Sequence, residues 1–137
     1  MRLAFALAVA CLALAAPAAP AAAQPAPPDA PVGDWLVQDG NGVIRIEPCG
    51  NLLCGTIVGT GTREQCRLTI LNVADAGGGL YRGHITNPLN GSVWNAQLSL
   101  EGPNRLRLRG YLGVPLLGQT QVWTRYTGRL TADCAMR

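Results

Sequence analysis

Between Asp34 and Tyr126 apolar side chains fall at every second position in short runs, and each run stops at a cluster of Gly, Asn or Pro. Period two sends successive side chains to opposite faces of an extended chain, so each run reads as a strand with one face for a core and one for water. The runs are Asp34 to Gln38, Val43 to Glu47, Cys54 to Val58, Arg67 to Asn72, Leu80 to Thr86, Val93 to Leu100, Arg105 to Tyr111 and Gln119 to Tyr126. Between them lie Asp39-Gly-Asn-Gly42, Gly50-Asn51, Ala76-Gly-Gly-Gly79, Asn87-Pro-Leu-Asn-Gly91, Glu101-Gly-Pro-Asn104 and Gly113-Val-Pro-Leu-Leu-Gly118, which supply the positive φ angles and fixed bends of hairpin connections. No segment carries a sustained helical period. Strands joined in order by tight turns make an antiparallel meander, and closing it removes the edges that invite aggregation. The expected fold is all-β, a small eight-stranded up-and-down barrel.

The chain before this region is of another kind. A basic start at Met1-Arg2, an apolar stretch from Leu3 to Ala16 and small residues at Ala21 to Ala23 make residues 1–23 a cleaved signal peptide in this reading. Pro17 interrupts the apolar stretch before it reaches the roughly 18 residues needed to cross a bilayer as a helix. Cys11, after Ala8-Val9-Ala10, offers lipidation as the rival route. Residues 24–32, Q-P-A-P-P-D-A-P-V, are expected to form a Pro/Ala-rich disordered lead-in, because the prolines remove donors and nothing large is available to bury. Residues 33–137 are then one domain with one core, placed in the periplasm or secreted.

Cysteine usage agrees with export. The mature chain keeps Cys49, Cys54, Cys66 and Cys134, an even count that argues for disulfides, while a single histidine and wide spacing argue against zinc. If Gly50-Asn51 alone formed the turn, Cys49 and Cys54 would be diagonal neighbours and too far apart for a relaxed bond. A four-residue loop from Gly50 to Leu53 would set them opposite each other. That loop is the expectation, with Cys49 bonded to Cys54 and Cys66 to Cys134. Every basic residue is Arg, which excludes lysine nucleophiles and Schiff-base chemistry. Ten Arg against eight acids after cleavage is too mild and dispersed a balance for a nucleic-acid surface.

Gly33-Asp-Trp35 at one end of the domain and Trp123-Thr-Arg125 at the other resemble the pattern of calycins such as lipocalins. There a first-strand Trp packs at the barrel base beneath an Arg from the last strand. The resemblance implies that Gly33, Trp35, Trp123 and Arg125 are structural, with Trp35 and Arg125 stacked, and makes the barrel calycin-like. At a finer grain the chain resembles the bacterial family known as domain of unknown function 2147. The matching elements are Gly33-Asp-Trp35, C-G-N-L-L-C-G at 49–55, G-H-I-T-N-P-L-N-G-S-V-W at 83–94, and L-R-L-R-G-Y-L-G at 106–113 running into L-G-Q-T-Q-V-W-T-R. It departs from the family at Asn87 and Trp94, where Asp and Tyr are usual, and in a shortened insertion around Thr60 to Gln65. The family implies secretion and fold, and brings no activity.

The residues that carry chemistry are few. His84 reads as a half-exposed strand histidine with Arg82 and Thr86 on its face. Ser92 and Ser99, the only serines, sit in no nucleophile turn, and the carboxylates fall mainly at turns. No catalytic residue, metal site or cofactor is expected. Arg105, Arg107 and Arg109 alternate with leucines and read first as a solvated outer face, with Tyr111 in phase. The sharper reading makes them an anionic docking surface. Trp94 and Tyr81 read first as core. Asn87 and Asn90 stand in a turn that would rim an open barrel near Trp94, and their amides suit sugars or peptide carbonyls. The apolar connection Val114 to Leu117 is expected to cap the barrel end. Together these make Asn87, Asn90, Trp94, Arg107, Arg109 and Tyr111 the candidate binding residues. The function they suggest is a non-catalytic exported module recognising a small molecule or envelope component. The alternative is a periplasmic inhibitor that blocks a lysozyme or protease with a loop, and no nucleic-acid partner or membrane span is expected.

Overall fold

A computed structural model describes residues 9–17, 30–114, 116 and 118–137. Within it the strands β1 (Gly33–Leu36), β2 (Gly42–Cys49), β3 (Leu52–Thr60), β4 (Thr69–Asp75), β5 (Leu80–Thr86), β6 (Val93–Leu100), β7 (Arg105–Tyr111) and β8 (Gly118–Arg125) follow in chain order. Each pairs antiparallel with the next, and β8 returns to β1, which closes an eight-stranded barrel. The period-two reading therefore gives the fold class and the strand order. Its ranges for β5, β6 and β7 coincide with the observed ones, and the others differ at their ends.

The inward phase is filled at one end. Trp35, Ile44, Ile46, Leu71, Val73, Leu98, Leu106 and Trp123 are buried in one cluster. Small residues in that phase let strands bend around them. A Cβ at Gly83 would collide with the carbonyl oxygen of Asn72 on β4, so only glycine permits that close approach. Register shifts at Val43/Ile44 and Gly55/Thr56 add the local twist that a narrow barrel requires.

Closure uses few ladder pairs, Trp35 with Arg125 and Leu36 with Thr124. Side chains extend it both ways. The Gln38 amide oxygen accepts the Val122 N–H at 2.8 Å where β1 has ended. At the opposite end the Arg125 guanidinium lies 4.0 Å over the Trp35 ring and donates to the carbonyls of Val32 at 2.6 Å and Pro103 at 2.8 Å. Gly33, at φ 125°, leaves the space that Arg125 occupies, since a Cβ there would overlap the guanidinium.

Two expectations are corrected here. The folded body starts before Gly33: Ala30 and Pro31 are buried, and the Trp35 indole donates to the Pro31 carbonyl at 3.0 Å. The lead-in thus packs at its last residues because the base of the barrel offers an apolar seat and an unpaired indole N–H needs an acceptor. Second, Cys49 is bonded to Cys54 across a two-residue turn, with pairing that runs to Cys49 opposite Leu52. Gly50 at φ 63°, followed by Asn51 outside the left-handed region, fits a type II′ turn. The Cα atoms are 5.8 Å apart. The strong twist of a two-residue hairpin draws this diagonal pair together, which a flat ladder does not.

The second bond joins Cys66 to Cys134 and clamps the C-terminal segment to the outside of the barrel. There Leu130 and Met136, bridged to each other, cover Val43 and Gly59 of the β2–β3 ladder. Asp133 accepts a hydrogen bond from the Thr131 hydroxyl, which holds its carboxyl below the usual range. On the outer wall Asp34 pairs with Arg45 through two bonds of 2.8 and 3.0 Å, and this bonding raises the Arg45 pKa further. A single turn of 3-10 helix, Arg63–Gln65, is the helical feature between β3 and β4. Among the described residues no helix is long and apolar enough to cross a membrane. Cys11 is exposed, whereas the proposed cleavage site at residues 21–23 and residues 24–29 of the lead-in lie outside the described residues.

Candidate functional site

In a closed meander the connections β1–β2, β3–β4, β5–β6 and β7–β8 gather at one end, and here that end is open. It leads into a cavity of about 920 Å³. The floor is apolar, made by Ile44, Ile57, Ile70, Ile85, Leu108 and Trp123. The rim is rich in amides: Gln38 and Asn41 from β1–β2, Gln65 from β3–β4, Asn87 and Asn90 from β5–β6, and Gln119 and Gln121 on β8. Gly110 explains part of the space. It continues the inward phase of Leu106 and Leu108, and an added Cβ would meet only the Asn95 carbonyl oxygen, at 3.9 Å. Of the side chains that line the cavity, Asp39 is the one that ionises.

The β5–β6 connection is built by its own side chains. Asn87 Oδ1 accepts from the Leu89 N–H at 2.9 Å, and Asn90 Oδ1 accepts from both the N–H and the hydroxyl of Ser92, at 2.9 and 2.7 Å. The Trp94 indole donates to the Ser92 hydroxyl at 3.3 Å, so the ring is tied to the loop. These bonds use the amide oxygens and direct the chemistry of the site toward the amide N–H groups, which are donors for a carbonyl or hydroxyl oxygen. Trp94 is half-buried on the cavity wall, which corrects its reading as core. The cause is its position at the mouth end of β6, where Gly110, the inward residue of the neighbouring strand β7 opposite Ala96, has no side chain to cover it. Tyr81, near the other end, is buried.

Sequence reasoning thus placed three residues, Asn87, Asn90 and Trp94, that the fold brings to one cavity. The other three lie elsewhere. Arg107, Arg109 and Tyr111 stand on or beside the outer face of β7, as do the exposed Arg105 and, on β5, the exposed Arg82 and His84. Arg107 reaches Glu101 at 3.8 Å in an exposed pair of small worth. Arg109 donates to the Thr120 hydroxyl at 2.6 Å and to the Leu116 carbonyl at 3.3 Å, so it holds the β7–β8 connection. That connection does not cap the barrel with the residues described: Val114 and Leu116 are exposed, while Pro115 and Leu117 lie outside the described residues. Gly113, at φ 78°, turns the chain as it leaves β7, and neither Val114 nor Leu116 lines the cavity.

The residues that the sequence did not single out are the floor isoleucines, Gln38, Gln119 and Gln121. A signal existed for the last two. They share the inward phase of Trp123 and Arg125, and a polar residue in the buried phase of a strand marks either a buried hydrogen bond or a wet cavity. Gln121 serves the first purpose as well, since its oxygen accepts the Trp123 indole N–H at 2.9 Å. Among the described residues no group of His, Cys, Asp and Glu is arranged to hold a metal ion.

This barrel is similar to a solved structure, protein HP1028 of Helicobacter pylori, which is described as belonging to the lipocalin family. The two share 11% sequence identity and superpose with a TM-score of 0.57 over 70% of this chain and 82% of that one, a likeness of fold. No curated protein matches the chain. The model of the family described as an uncharacterized protein conserved in bacteria (DUF2147) matches residues 33–125, from the first residue of β1 to the last of β8, and the chain belongs to that family.

Proposed function

We propose that the protein is an exported, non-catalytic binding module that takes one small, neutral, amphipathic molecule into the open end of its barrel. The observation that carries this reading is the lining of the cavity, an apolar floor beneath a rim of amides. A charged ligand would leave an unpaired charge in such a site, which is costly, whereas an apolar body with a hydroxyl, ester or amide head matches it from floor to rim. An eight-stranded barrel is wide enough for one such molecule. Catalysis would need convergent titratable groups, and this lining offers Asp39 alone. Export rests on the leader sequence and on two disulfides, which persist in oxidising compartments.

A second reading, an inhibitor that inserts a loop into a lysozyme or protease, draws on the exposure of Val114 and Leu116. Native mass spectrometry of the mature protein taken from its own cell envelope separates the two. The binding-module reading expects a retained small-molecule mass that is released by unfolding. A stoichiometric protein partner with no small molecule would overturn it in favour of the inhibitor.

A further inference from the structure

The exposed apolar side chains of the barrel are unevenly placed. Leu116 at 88% and Leu89 at 83% are the most exposed, followed by Val93, Leu112 and Val114. All five belong to the β5–β6 and β7–β8 connections or their edges. Because β6 and β7 are neighbours, these connections stand side by side on one arc of the mouth. Soluble proteins rarely leave such a group uncovered at loop tips.

Charge is skewed toward the same half. From β5 to β8 the chain carries Arg82, Arg105, Arg107, Arg109 and Arg125 against a single acid, Glu101, which lies at the far end beside Arg107. The remainder of the barrel is balanced, with Arg45, Arg63, Arg67, Arg129 and Arg137 against Asp34, Asp39, Glu47, Glu64, Asp75 and Asp133. Arg82 and Arg109 share one cross-strand row with Gln97 between them. Arg109 is three residues from Leu112, about 10 Å along an extended chain and so within about one Debye length of the loop tips.

We infer that this arc of the mouth docks on an anionic lipid surface, with Leu89, Val93, Leu112, Val114 and Leu116 entering the headgroup boundary and Arg82 and Arg109 above it. Apolar tips supply partition and basic residues supply attraction to anionic headgroups, and the two occur here on the same side. The inference rests on the binding-module reading and deepens it. A neutral amphipathic ligand resides in membranes, and a mouth held against the bilayer lets it pass without crossing water.

The test is cosedimentation of the mature, disulfide-bonded protein with vesicles of phosphatidylcholine, alone or mixed with phosphatidylglycerol. The protein is expected to pellet with the mixed vesicles and to be released by salt. L89D/L116D should weaken the partition by at least about tenfold, since two large apolar side chains are lost from the interface. R82Q, which touches neither the loops nor the cavity, should weaken it on the order of fivefold. Protein that stays in the supernatant with both vesicles overturns the inference, as does equal binding by wild type and both variants. A wild-type dimer that L89D/L116D converts to monomer also overturns it, by assigning the arc to a second copy. Uptake of the neutral probe N-phenylnaphthylamine by the wild type without vesicles is followed in parallel, so that a wild type that takes up the probe but does not bind vesicles refutes the docking alone, and a wild type that takes up no probe refutes the cavity reading.

Discussion

Arg125 does three things at once, and each depends on its being arginine. Its plane stacks on Trp35 while its fork reaches the Val32 and Pro103 carbonyls, so one side chain ties the entering chain, the β6–β7 turn and the first strand together. Lysine would keep the charge and lose both the stacking plane and the second directed bond. R125K is expected to destabilise the fold by about 2 kcal/mol, which for a domain of this size lowers the thermal midpoint by roughly 10 °C. Calorimetry checks this, and an unchanged midpoint would show that the stack is incidental. The pair was legible because Gly-x-Trp and a late Arg recur as a pattern. Why Gly33 accompanies them was not, because it depends on where a side chain from the far end of the domain comes to rest.

At the scale of elements, the strands and their order could be read from alternation and breakers, since a buried face and a turn both leave marks within a few residues. What could not be read depends on twist and on distant contacts. The Cys49–Cys54 hairpin is one case: residue counting allows a bond only across four residues, whereas a twisted two-residue turn brings the same pair within range. The Ala30–Pro31 seat is another, because proline-rich composition gives no hint of a waiting indole donor. The C-terminal segment makes the energetic difference between the two bonds testable. Cys66–Cys134 closes a separation of 68 residues and Cys49–Cys54 one of 5. In the chain-entropy account C66A/C134A costs ~4 kcal/mol and C49A/C54A ~2 kcal/mol. Urea titration of the two variants should therefore show the larger loss for the long loop, and the reverse order would mean that the tail clamp is not stabilising the barrel.

For the whole molecule, the barrel is filled at the Trp35 end and open at the other, and this asymmetry decides what it can do. Composition hides the asymmetry, because leucines and isoleucines that fill a core and those that floor a cavity look alike in sequence. The visible traces were small or polar residues in the inward phase near one end, Gly110, Gln119 and Gln121. Gly110 gives the most direct test of the account. Its inward Cβ direction is unobstructed, so G110L places a branched side chain in the cavity with little strain on the strands. Titration of wild type and G110L with N-phenylnaphthylamine, read by the probe's fluorescence, should show saturable uptake by the wild type and a loss of about tenfold or more in the variant, at an unchanged thermal midpoint. Equal affinity in the two proteins, or no saturable uptake by the wild type, would contradict the claim that the open end of the barrel is the binding site.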